Sequence, residues 1–221
     1  MHFRIKALLA ASASAIILAG AAGVARAADA DAPAAAPASW ASGIKLSGHV
    51  EAGATINPDD PKDGLNFGHL FTDKANQLVL NSFALTAERD VDTSSKTLDL
   101  GFKVQGAYGT DSRYTQLIGT FNRSTDSRTQ FDIVEAHVDA HLPYLTAGGI
   151  EAHIGILPTL EGVEVMDPTG NFFYSKSYLF NFGIPLKYTG IMTETHLSPL
   201  VDVYLGVDSG LNTFLGSSGG A

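Results

Sequence analysis

Glu135, His137, Asp139 and His141 stand at every second position of one short stretch, and Glu151 and His153 alternate in the next. Imidazoles and carboxylates are the side chains that hold metals and relay protons. Their spacing limits what they can do. At ~3.3 Å per residue, positions four apart on a strand are about 13 Å apart, so His137 and His141 cannot chelate one ion together. Two registers across a hairpin are open. One opposes Asp139 to His153 and His141 to Glu151; the other opposes His137 to His153. Either pair would need further ligands to bind Zn²⁺, and ordinary hydrogen-bonded pairs explain the residues equally well. No metal and no cofactor is therefore assigned. Catalysis fares no better: the chain holds no nucleophile-elbow motif, no metalloprotease helix and no glycine-rich phosphate loop, so it is not expected to be an enzyme.

The alternation extends through the chain. Lys45, His49 and Glu51 share a face opposed by Ile44, Leu46, Val50 and Ala52. Asp99, Lys103 and Gln105 oppose Leu98, Leu100, Phe102 and Val104. Val134, Ala136, Val138 and Ala140 back the first histidine stretch, and Val201, Val203, Leu205 and Val207 back Asp202 and Tyr204. Lys187 opens another such stretch. Period two over about ten residues, apolar on one side and polar on the other, is the pattern of a transmembrane β-strand. The polar residues then read as a hydrated lumen wall.

Seven such strands are expected: 43–56, 77–89, 97–108, 131–142, 148–156, 186–195 and 201–207, with a bulge near Asn81-Ser82 where the phase changes. The intervals between them are 20, 7, 22, 5, 29 and 5 residues. Long and short alternate without exception. Outer-membrane barrels have long outer loops and short periplasmic turns, whereas a soluble sandwich has no reason to alternate. The expected fold is all-β, an antiparallel up-and-down transmembrane β-barrel.

The longest loop, 157–185, is rich in aromatic residues. Loops of this length inside a compact fold are usually functional. By analogy with porins whose third outer loop narrows the channel, it is expected to fold inward. Phe172, Phe173, Tyr174, Tyr178, Phe180 and Phe182 would pack on the inner wall, the alternative being that they cap the barrel mouth or contact a neighbouring protomer, and Glu161, Glu164, Asp167 and Lys176 would set the local field.

Residues 1–27 have the order of a secretory signal peptide: Arg4 and Lys6, the uncharged run 7–23, then Ala25-Arg26-Ala27. The run is shorter than the ~20 residues of a spanning helix. Residues 28–42 form an Ala/Pro-rich leader, with Trp40 a candidate for the membrane interface. The barrel portion is 43–221. The chain carries 14 basic and 23 acidic residues, for a formal charge of −9. Three of the basic residues and no acid lie in 1–27, so the remainder is more acidic still. That argues against nucleic acid as a partner. With no cysteine, thiol chemistry and disulfide staples are excluded.

Three blocks carry a specific resemblance. One is Gly101-Phe102-Lys103-Val104 with Tyr108-Gly109-Thr110-Asp111-Ser112-Arg113-Tyr114. The second is Glu135-Ala136-His137-Val138 running into Leu142-Pro143. The longest spans Gly155 to Gly190, with Gly162-Val163-Glu164, Asn171-Phe172-Phe173-Tyr174-Ser175, Ser177-Tyr178-Leu179-Phe180-Asn181-Phe182 and Pro185. From Leu98 to about Asn212 the chain resembles the OmpL-like β-barrel porins. The resemblance implies an outer-membrane porin of a Gram-negative bacterium, with lipid around it and small hydrophilic solutes within, and no catalytic residues. A non-conducting structural or adhesion barrel is the alternative. Family members are larger, and bacterial barrels have an even number of strands, eight or more. The expectation is thus an open, incomplete barrel from a truncated chain, with closure by a homo-oligomer as the other possibility.

Overall fold

The computed structural model describes residues 39–120, 128–144, 146–198 and 200–215. The expected signal peptide and most of the leader lie outside the described residues. Seven antiparallel strands form one sheet in sequence order: β1 (Lys45–Ala54), β2 (Leu78–Arg89), β3 (Asp99–Gly109), β4 (Gln130–Leu142), β5 (Ile150–Pro158), β6 (Lys187–Ser198) and β7 (Val201–Asp208). β1 and β7 each pair on one side only, so the sheet is an open up-and-down meander. Among the described residues no helix is long and apolar enough to cross a membrane. Trp40–Gly43 form a 3-10 turn, the Trp40 indole donates to the Leu100 carbonyl at 2.9 Å, and its ring lies 6.1 Å from Phe102.

Registers convert the alternation into rows across the sheet. One row runs Phe102, Val138, Ile154, Ile191, Val207. These apolar side chains, with Leu46, Val50 and Leu85 on β1 and β2, are exposed or half-exposed. The opposite face holds Lys45, Glu88, Lys103 and His137 in one row and Asp99, His141, Glu151, Glu194 and Tyr204 in another. Asp139, His141, Glu135 and Gln105 on this face are buried. An exposed apolar face and a covered polar one is the reverse of a water-soluble sheet, and it is what a bilayer selects.

Three bulges interrupt the ladders. Glu51 opposes Ser82 while Ala52 opposes Leu80, which leaves Asn81 unpaired in the ladder at the expected place. Val134 is left over in the same way opposite β3, and Leu197 opposite β7. The first two sit toward the long-loop end, where a bulge re-aims side chains. The backbones of β4 and β5 approach so closely at Gly155 (φ 143°) that a Cβ there would lie 2.2 Å from the Ala136 carbonyl oxygen. Only glycine tolerates both the conformation and the contact.

Lys187, expected on the lumen wall, opens β6. It pairs with Pro158, one residue out of phase with the row through His153, Gly155 and Leu157. Its side chain is fully buried, and its ammonium reaches over β5 to both oxygens of Asp132 (2.8 and 2.7 Å) and to the Ile133 carbonyl. The Thr115 hydroxyl donates to the same carboxylate at 2.6 Å. A buried charge is tolerable only when paired in this way. Removing one partner strands the other. Lys187→Met is expected to cost about 3–5 kcal/mol in denaturant unfolding of the micelle-folded protein, and the Lys187→Met/Asp132→Leu double variant clearly less. Equal losses in the two would show that the pair is not coupled.

Candidate functional site

The loop between β5 and β6 is laid across the polar face, and its docking residues come from several strands. Asp167 caps a short 3-10 turn, Pro168–Gly170, by accepting from the Thr169 amide (2.9 Å) and hydroxyl (2.6 Å). Its other oxygen accepts from the Gln105 amide group at 2.9 Å, and Gln105 in turn donates to Thr86 at 2.8 Å. The His49 ring is 3.6 Å from the same carboxylate. Met166 beside it packs on Ala84, Ala107 and Val134, where small side chains on β2 and β3 leave room. The loop thus bridges β1, β2, β3 and β4.

Tyr174 makes the second anchor. Its hydroxyl donates to Asn81 Oδ1 at 2.8 Å, and the Asn81 amide donates to the Phe71 carbonyl and to Asp111, each at 3.0 Å. Asn81 is the residue the bulge leaves over, so the break in the ladder supplies the loop's receptor. The Tyr174 ring lies over Gly53; a Cβ there would come within 2.4 Å of the ring. A third contact is apolar. Phe71, Phe180 and Leu186 are buried together, joined by Tyr114, and thus tie all three long loops to one another. The Phe180 ring is 5.3 Å from Phe71, which is also 5.3 Å from Tyr114.

The loop residues expected to constrict the lumen separate into two groups. Asp167 and Tyr174 reach the wall. Lys176 is buried with its ammonium 5.3 Å from the Phe180 ring. Glu164 instead stays within the loop, accepting from the Ser177 amide at 3.0 and 3.1 Å and from its hydroxyl. Glu161 is exposed. The expectation that the aromatics pack on the wall is corrected for Phe172 and Phe173, which are 99% and 78% exposed, and for Tyr178, 68% exposed and stacked on Phe182. The short helix Tyr178–Phe182 buries Phe180 alone among its residues.

Charge on this loop layer is unevenly settled. Burial pushes Asp111 up to about 6, against hydrogen bonds from Asn81 and Thr110 that favour the anion. Burial also opposes ionisation of Asp167, but the Thr169 and Gln105 hydrogen bonds outweigh it and hold the carboxyl below its usual range. Lys176 is lowered by burial, which the nearby acids only partly offset. In the loop after β1, Asp73 accepts from Arg113 (3.4 Å) and Arg128 (3.0 and 3.1 Å), and these pairings hold it low despite burial.

The other expected wall residues, Lys45, His49, Glu51, Asp99, Lys103, Glu135, His137, Asp139, His141, Glu151, His153 and Asp202, share the polar face by register. Many are spent on one another. Arg89 grips Asp99 with two nitrogens at 3.1 Å each, Lys103 meets Glu135 at 3.1 Å, and Lys45 meets Asp90 at 2.6 Å. Of the two hairpin registers, the structure adopts Asp139 opposite His153 and His141 opposite Glu151. Yet His137 also turns to Asp139, so that one carboxylate oxygen lies 2.8 Å from His137 Nδ1 and 2.6 Å from His153 Nδ1. Sequence reasoning missed Glu194 and His196. The alternation Met192, Glu194, His196 runs past the expected end of the strand at 195, and the strand continues to Ser198. It also missed Asp132, whose partner comes from a strand not adjacent to its own.

Asp111 makes a pH test of the loop anchor. Its folded value lies above the ordinary 3.8, so the folded state holds more protons between about 4 and 6, and the stability it contributes falls as pH rises through that window. Asp111→Asn is expected to flatten the decline in unfolding free energy between pH 4 and 6. A slope unchanged by the substitution would remove Asp111 as its source.

Residues 43–220 match the family model described as "Putative beta-barrel porin-2, OmpL-like". No curated protein and no solved structure matches the chain. The family match spans every strand of the sheet and the loop that crosses it. The chain belongs to the OmpL-like β-barrel porin family.

Proposed function

We propose that the protein is an outer-membrane porin that lets small hydrophilic solutes and ions diffuse passively through a water-filled lumen, and that it performs no catalysis. One observation carries the reading: the polar face of the sheet is the covered one, with the loop between β5 and β6 held across it by Asp167, Met166 and Tyr174. A plate dressed this way belongs with lipid on its apolar side and water on the other. The family supports localisation in the outer membrane of a Gram-negative bacterium; export there by the signal peptide of residues 1–27 is part of the same proposal.

The loop acts as the constriction. Its anchors are side-chain contacts to the wall rather than ladder hydrogen bonds, so it sets the bore without being part of the sheet. Glu51, Asp111, Glu164 and Asp167 all act on the buried ammonium of Lys176. An acid-rich constriction concentrates cations and repels anions. The pore is therefore mildly cation-preferring.

The protein purified from outer membranes should give stepwise conductance in planar bilayers, with a reversal potential of the cation-selective sign under a salt gradient. Removing residues 161–183 should raise the single-channel conductance, and Asp167→Lys should move the reversal potential toward anions. A protein that inserts but never conducts would instead favour a structural or adhesive barrel. An anion-selective wild type would overturn the assigned role of the acidic constriction.

A further inference from the structure

We propose that His137, Asp139 and His153 form a binding site for a divalent ion of the zinc class on the polar wall. The site belongs to the wall itself and stands apart from whether the pore conducts. One ligand atom from each of the three residues lies within 4.8 Å of the other two. An ion with ligands at about 2.0–2.1 Å needs donors roughly 3–4 Å apart, which small side-chain rotations supply here. Both rings already turn Nδ1 toward one oxygen of Asp139, at 2.8 and 2.6 Å. The three residues are mostly covered, with side-chain exposures of 10%, 12% and 20%.

Two features separate this cluster from a chance meeting of polar groups. The first is the outer partner of His137. Its Nε2 lies 3.5 Å from Glu135 Oε2, and Lys103 holds that carboxylate at 3.1 Å. A metal-bound imidazole characteristically donates its other N–H to a carboxylate, which fixes its tautomer and orientation. The second is rigidity. Asp139 and His153 are directly opposed on neighbouring strands, and His137 is two residues along the same face. The ligands thus need no loop to bring them together. Two imidazoles with one carboxylate select zinc-like ions over Mg²⁺ and Ca²⁺, which take oxygen ligands. Further along the same wall, Glu194, His196 and Asp202 form a more open cluster with one imidazole. It differs from the first in ligand type, so the two can be told apart.

The test is equilibrium dialysis of the detergent-folded protein against ZnCl₂ in the presence of excess MgCl₂. Wild type should bind Zn²⁺ saturably at micromolar concentration. The His137→Gln/His153→Gln variant should bind at least ~100-fold more weakly, Glu135→Gln about 10–100-fold more weakly, and His69→Gln, in the loop after β1, as wild type does. No saturable binding, or binding that survives the double substitution, would overturn the site. Should the double variant not fold, X-ray absorption on zinc-loaded wild type decides. Two imidazole ligands support the site; one or none overturns it. Bilayer conductance of the same preparation is read separately. Conduction without zinc binding removes the metal site and leaves the porin reading, and zinc binding without conduction does the reverse.

Discussion

A strand that crosses a bilayer must satisfy its backbone entirely within the sheet, because hydrocarbon offers no hydrogen bonds. Most of what distinguishes this chain follows from that constraint. The ladders run from β1 to β7 in sequence order with short turns at one end, the simplest arrangement that pairs each strand with its neighbours. The side chains then sort by solvent. Phe102, Val138, Ile154, Ile191 and Val207 form an unbroken apolar row, and the row through Asp99, His141, Glu151, Glu194 and Tyr204 faces the other way. A soluble protein would bury the first row and wet the second.

Covering the polar face creates a second problem, since charged groups out of bulk water need partners. The wall meets it by pairing across strands: Arg89 with Asp99, Lys103 with Glu135, and His137 and His153 with Asp139. Lys187 is the extreme case, fully buried against Asp132. These pairs are specific because strand registers set them, and a one-residue slip would send every partner to the apolar side. The same geometry that neutralises the wall brings two imidazoles to one carboxylate, which is why a structural necessity and a metal site can occupy the same residues.

The loops depend on where the ladders fail. Asn81 is left over by a bulge, and its amide and carbonyl then serve Asp111, Phe71 and Tyr174 at once. Val134, left over by the next bulge, supplies part of the apolar seat for Met166. The long loops therefore use two of the three bulges as attachment points on the sheet. Their mutual packing through Phe71, Phe180 and Leu186 makes them one layer rather than three separate excursions.

By itself, the sequence determined the sheet. Period-two alternation is local, so it named the strands, their exposed and covered faces, and the Asn81 bulge from neighbouring residues alone. The alternation of long and short intervals set the up-and-down order, and the family motifs agreed. Tertiary structure decided whatever depends on residues far apart in the chain. Lys187 looked like a wall residue by strand pattern but pairs with Asp132 two strands away. Phe172 and Phe173 look costly to expose, yet they stay exposed while Tyr174 packs over Gly53 and Phe180 against Phe71. The hairpin register allowed two alternatives for His137, His153 and Asp139, and the folded sheet joined all three. Local pattern fixes which way a side chain points; which partner it meets is set by strand register and by the close packing of loops, and neither has a period that can be read along the chain.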